Sequence, residues 1–149
     1  MAGKPSKKKA AKRKVKPSGP ARCAVLWGLD PSFGEGAGEK GAALRGVLRE
    51  MGARVRVVAP ERLGDAAGAV VWMPGFLPAP SPYAGPLPEG EFVLLAGFDG
   101  PAVSEFITRC REAGCVVGPK ALLTPANRSW PLVRLIQAVD AEHMAMGGA

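Results

Sequence analysis

Cys23-Ala-Val-Leu-Trp-Gly-Leu-Asp30 returns in form as Phe92-Val-Leu-Leu-Ala-Gly-Phe-Asp99. Each is a short, continuous apolar run broken at a Gly-apolar-Asp corner, and each reads as a central strand. An amphipathic helix follows each corner. The first aligns Leu44, Val47, Leu48 and Met51 and the second Val103, Phe106, Ile107 and Cys110, spacings that bring apolar side chains to one face. Asp99 is placed to cap the second helix, with Pro101 in its first turn, where the missing amide costs nothing. Both helices run into one kind of stop, Leu48-Arg-Glu-Met-Gly52 and Cys110-Arg-Glu-Ala-Gly114, with glycine where a left-handed cap belongs.

From corner Asp to stopping Gly is 22 positions in the first unit and 15 in the second. The first therefore carries a seven-residue insertion, read as a loop over Gly34-Glu-Gly-Ala-Gly-Glu-Lys-Gly41. Two tandem βαβ units predict an α+β fold: a four-stranded ferredoxin-like sheet with helices on one face, plus a C-terminal helix. A mainly parallel open sheet is the alternative. The repeat also has a plain structural explanation, since tight βα and αβ junctions want glycine at these points.

The remaining elements are less regular. Residues 55–58 read as a strand closed by Pro60, residues 61–68 as a short helix, and residues 69–73 as an apolar stretch. Six prolines (Pro74, Pro78, Pro80, Pro82, Pro86, Pro88) make residues 74–90 a loop of extended polyproline character. Strand patterns resume at residues 115–117 and 121–123. A last helix starts near Trp130, sets Leu132, Leu135, Ile136, Val139 and Met146 on one stripe, and ends at Gly147-Gly148.

Charge divides the chain differently. Lys4, Lys7, Lys8, Lys9, Lys12, Arg13, Lys14 and Lys16 stand in the first twenty residues without one acid. The formal charge of +7 less those eight leaves −1 over the other 129 residues. Such a block repels itself and has nothing to bury, so residues 1–21 are expected to be a disordered basic tail and residues 22–146 one α+β domain. No signal-peptide pattern is present, and no run approaches the roughly 20 apolar residues of a membrane helix. Cys23, Cys110 and Cys115 are odd in number and lack Cys-x-x-Cys spacing. Reduced thiols in a cytoplasmic protein are expected.

Residues 120–130 hold the most motif-like stretch, Lys-Ala-Leu-Leu-Thr-Pro-Ala-Asn-Arg-Ser-Trp. Thr124, Asn127 and Ser129 suit a turn and a helix start, with Trp130 packed beneath. Lys120 enters an apolar strand, so its ammonium must snorkel outward or meet an acid or anion. Lys120, Thr124, Asn127 and Trp130 are accordingly the candidate ligand or partner residues.

With Pro119 before it and Asp140-Ala-Glu142-His143 after it, this stretch resembles an uncharacterised bacterial family, domain of unknown function 3783. The family's most recognisable segment is Leu-Lys-Ala-hydrophobic-hydrophobic-Thr-Pro-x-Asn-x-x-Trp; Pro119 stands here in place of the usual Leu. The resemblance extends through Leu95-Ala-Gly-Phe98 and, more loosely, to Arg54-Val-Arg-Val-Val58 and Trp72-Met-Pro-Gly-Phe76, over residues 23–146. It implies a small α+β domain and no activity. The glycine-rich insertion and the basic tail depart from the family pattern.

Catalytic chemistry is poorly served. Gly34 to Lys40 lacks the Walker spacing and leaves at most an anion nest at a helix start. His143 is the sole histidine, without a Gly-x-Ser-x-Gly elbow, and Asp140 three residues earlier makes a helix-surface charge pair with it. One histidine and three scattered cysteines make no metal site. No catalytic residue, metal or cofactor is expected. The composition favours a non-enzymatic interaction module whose tail contacts nucleic acid or another polyanion through Lys7, Lys8, Lys9, Lys12, Arg13 and Lys14. The alternative is a small-ligand-binding regulatory domain using the junction at residues 120–130; a protein partner or homodimer is compatible with either. Lysines without interleaved aromatics contact phosphates and do not read bases. In a gel shift with nucleic acid, the full chain should then show a log–log salt slope approaching about −7 if all eight basic residues of the tail engage, from roughly 0.9 per phosphate neutralised. A chain lacking residues 1–20 should show no shift; equal binding by both, or by neither, would exclude the tail.

Overall fold

The computed structural model describes residues 21–145, and no side chain beyond Glu142. The elements run β1 (Cys23–Trp27), α1 (Glu35–Glu50), β2 (Arg54–Val57), α2 (Ala67–Val70), β3 (Phe92–Ala96), α3 (Gly100–Ala113), β4 (Lys120–Leu122) and α4 (Leu132–Ala145), with 3-10 turns at Pro31–Phe33 and Pro60–Arg62. The four strands form one open sheet in the order β2-β1-β3-β4. β1 pairs parallel with β2, and β3 parallel with β4. The two units meet at an antiparallel seam that sets Cys23 opposite Ala96 and Trp27 opposite Phe92.

The expected ferredoxin-like order is not formed. That plan inserts a strand between the two strands of each βαβ unit. Here each unit pairs its own strands directly, and only the seam joins the units. The expectation of helices on one face also changes. All ten residues of β1 and β3 are buried, so both faces of the seam must be covered. On one face, α1 and α3 place Leu44, Val47, Leu48, Phe106 and Cys110 against Ala24, Leu26, Val93 and Leu95. On the other, Leu63, α2 and α4 place Ala67, Val70, Leu132, Leu135 and Ile136 against Val25, Trp27, Phe92 and Leu94.

The repeat is a repeat in three dimensions. Gly28 and Gly97 turn the corners at φ of 74° and 78°, and Gly52 and Gly114 follow the helices at 75° and 71°. Asp99 accepts from the Ala102 amide at the start of α3, while Asp30 accepts from the Ser32 amide and caps the 3-10 turn. The seven-residue insertion is not the loop expected from its glycines. It is taken up by that three-residue 3-10 turn, Gly34, two further residues of helix (16 in α1 against 14 in α3) and Met51 at the end of α1. Gly41 explains why glycine is tolerated there: a Cβ at this position would lie 1.8 Å from the Leu29 carbonyl oxygen.

Three other expectations shift. Residues 61–68 do not form one helix; a 3-10 turn and the four-residue α2 take their place. Residues 115–117 lie outside the sheet, although Cys115 and Val117 are buried against α1 and α3. α4 begins at Leu132, after an isolated bridge pairs Pro131 with Ala66. Residues 74–90 hold neither helix nor strand, as their prolines require. They are nonetheless strapped down: Asp65 accepts from the Ala79 amide at 2.9 Å, Glu61 O from the Tyr83 amide at 2.9 Å, and the Trp27 indole donates to Pro88 O at 3.2 Å. The basic segment, residues 1–20, lies outside the described residues, as do Met146 and the terminal glycines.

Gly41→Ala should cost several kcal/mol, since neither the helix nor the Leu29 backbone can move aside cheaply (about 1–3 kcal/mol or more for overpacking). Gly46, mid-helix with open space where a Cβ would stand, should instead gain about 0.5–1 kcal/mol as Gly46→Ala. Urea unfolding of the two variants measures both.

Candidate functional site

The junction at residues 120–130 is a closed set of hydrogen bonds. Asn127 Oδ1 accepts from the Thr124 amide at 2.9 Å, Thr124 Oγ1 accepts from the Asn127 amide at 3.2 Å, and Asn127 Nδ2 donates to Leu122 O at 3.1 Å. The turn then receives α2, as the Gly68 amide donates to Arg128 O and the Ala67 amide to Trp130 O, both at 2.8 Å. Trp130 is partly buried against the α2/α4 core, with the Arg134 guanidinium 4.3 Å from its ring. Lys120 neither snorkels free nor meets an acid: its ammonium donates to Val117 O at 2.6 Å and Gly118 O at 3.2 Å. Those bonds close the bend that feeds β4. All four candidate residues thus have partners within the fold, and Thr124 also lines a cavity.

That cavity, of about 430 Å³, opens at one end of the sheet. Because the two units run antiparallel, the end gathers the starts of β1 and β2 (Arg22, Cys23, Arg54) with the ends of β3 and β4 (Ala96, Gly97, Leu123, Thr124). Pro125 and Arg128 of the junction form one wall, and Val71, Trp72, Met73 and Pro74 after α2 form another. The lining holds three arginines and no acid. Its size falls within the range of small-molecule sites, roughly 300–1,000 Å³.

Trp72 is the unusual member. It is the one non-glycine with positive φ among the described residues, at 61°. Its amide donates to Ala69 O at 3.1 Å, and the Met73 amide donates to Gly68 O at 2.8 Å. These are the two bonds of a Schellman cap, with tryptophan at the left-handed position where glycine is usual. An L-residue there costs roughly 1 kcal/mol or more. Core burial does not account for the choice, because Trp72 is 39% exposed. The indole meets cations: the Arg54 guanidinium carbon lies 3.6 Å from the ring centroid and that of Arg56 lies 5.4 Å away.

The arginines divide by partner. Arg56 donates to Val70 O at 3.0 Å and Arg22 to Met51 O at 2.9 Å, so both tie backbone together. Arg54 and Arg128 are exposed, and among the described residues neither guanidinium has an ion-pair partner or a hydrogen-bond acceptor. Ion pairs elsewhere use Lys40 with Glu91, Arg62 with Asp65, and Arg109 with Glu50 and Glu105. Cys23 lines the cavity but is a poor nucleophile: burial pushes its thiol up to about 11, the charges of Arg54 and Arg56 offsetting this only in part. Cys110 is raised too, by burial and then by Cys115, whose thiol is within hydrogen-bonding reach. All three are free thiols.

The other candidates do not converge here. Lys40 is held by Glu91 at 2.7 Å, and Gly34 is the N-terminal cap residue of α1. Asp140 lies on α4, and the His143 side chain is outside the described residues, as are Lys7, Lys8, Lys9, Lys12, Arg13 and Lys14. No cluster of three or more metal-ligating side chains occurs among the described residues, and no described helix is long and apolar enough to cross a membrane. Sequence reasoning missed Arg54, Trp72 and Arg128. The available signal was Trp72-Met-Pro-Gly-Phe76, an aromatic at the mouth of the proline-rich loop.

Asn127→Ala removes one acceptor and one donor from the junction and should destabilise the domain by about 1–2 kcal/mol; chemical denaturation measures the loss.

No curated protein and no solved structure matches the chain. A family model does match the second half, where the junction motif lies, and leaves the more loosely patterned first half uncovered. Residues 91–146, which include β3, α3, β4 and α4, match the model of a family described as a domain of unknown function (DUF3783).

Proposed function

We propose that this protein is a non-enzymatic binding module that takes a small ligand in the cavity at the arginine-lined end of the sheet. The observation that carries this reading is a cavity of about 430 Å³ whose lining combines Arg22, Arg54 and Arg128 with Trp72 and contains no acid. It keeps the strand-to-helix junction as part of the site, through Thr124, Pro125 and Arg128, and treats Lys120, Asn127 and Trp130 as the frame. A protonated Cys23 thiol and the absence of a base beside it argue for binding over catalysis. Three buried free thiols fit a reducing, cytoplasmic setting.

A second reading rests on the tail. Ala21, the first described residue, lines the cavity. In that reading the tail and Arg22, Arg54 and Arg128 act together on a polyanion such as nucleic acid, without base specificity.

A fragment screen of the full chain by amide NMR should move the Gly97, Thr124 and Met73 amides and the Trp72 indole N–H together. Fragments that perturb only other surfaces, with these signals still, would sink the small-ligand reading.

A further inference from the structure

We infer that the cavity selects its ligand by an oxyanionic head, a carboxylate or phosphate monoester, received by Arg54 backed on Trp72 and by Arg128, with an apolar body lying against Val71, Met73, Leu123 and Pro125. This rests on the cavity being a ligand site and goes on to name the ligand's chemistry.

Stacking consumes only the face of a guanidinium. The Arg54 guanidinium carbon lies over the Trp72 ring, 3.6 Å from its centroid, and no hydrogen-bond acceptor or acid among the described residues occupies its N–H groups. A planar fork held in this way suits the two oxygens of a carboxylate or phosphate. Arg54 and Arg128 are the two cavity arginines whose side chains bond to nothing else among the described residues, whereas Arg22 is held by Met51 O. No lining carboxylate competes for them, so a cation or a metal ion finds no counter-charge in the cavity.

The Trp72 backbone supports the same assignment. The chain adopts a left-handed cap with tryptophan in place of glycine, and a broken local rule of this kind points to function when packing does not explain it. With 39% of its surface exposed at the cavity wall, the indole serves the guanidinium more than the core. A volume of about 430 Å³ is far more than a bare phosphate fills, and the remaining wall is apolar.

Isothermal titration and amide NMR of the full chain with four probes test this: phenyl phosphate, phenylacetate, inorganic phosphate and 2-phenylethanol. One or both aromatic anions should bind in the cavity, and their ratio assigns the head as phosphate or carboxylate. Inorganic phosphate lacks the body and 2-phenylethanol the charge; each should bind at least about tenfold more weakly. Arg54→Gln and Arg128→Gln should each weaken the better anion about tenfold, the scale of a charge-assisted hydrogen bond. Arg111→Gln, on α3 away from the cavity, should leave affinity unchanged. Trp72→Gly, which removes the left-handed strain, should keep a cooperative melt and lose binding. Cavity binding of 2-phenylethanol as tight as that of the anions, or full affinity in Arg54→Gln, overturns the oxyanion assignment while leaving a ligand site in place. If none of the four probes moves the cavity signals, both readings fall.

Discussion

Everything in this fold hangs on the antiparallel seam between β1 and β3. All five residue pairs of the ladder are buried, so the seam has no face that can be left to water. It therefore needs a helical layer on each side, and the alternation along the strands assigns side chains to one layer or the other. α1 and α3, the helices inside the two βαβ units, fall on the same face. The opposite face has only the short α2 and the 14-residue α4. That is why α4 and the loop before it are tied so heavily to α2: the bonds from Ala67 and Gly68 to the junction, and the pairing of Pro131 with Ala66, assemble a layer that neither helix could make alone.

The seam also creates the site. Antiparallel pairing of two parallel pairs brings the starts of one pair to the same edge as the ends of the other. Arg22, Arg54, Gly97 and Thr124 are far apart along the chain and meet only for this reason. Trp72 reaches the same edge because α2 ends in a left-handed cap near β2, where Arg54 and Arg56 stand on alternate positions. The local cost of that cap, roughly 1 kcal/mol or more, is offset in part by the cation–π contact (about 0.5–1 kcal/mol at an exposed site).

The junction motif illustrates how a conspicuous sequence can be structural. Thr124 and Asn127 satisfy one another and Leu122, Trp130 receives Arg134, and Lys120 turns back on the carbonyls of its own bend. The motif's contribution to the cavity comes from residues that looked like filler, Pro125 and Arg128.

By itself the sequence determined the local grammar: two apolar strands, Gly-apolar-Asp corners, helices stopped by glycine, and a proline-rich strap that could be neither helix nor strand. These follow from φ preferences, missing amides and side-chain periodicity, which act within a few residues. It misread Gly34 to Gly41 as a loop, because helix propensity counts against glycine and the close approach of Gly41 to the Leu29 carbonyl is a tertiary contact. It did not decide strand order, since a βαβ unit has the same pattern whether its strands pair directly or admit another between them. Nor did it mark the cavity. Arg54, Trp72 and Arg128 are ordinary surface residues in one dimension; only the pairing of the two units places them around one space and leaves two guanidinium groups without an acid.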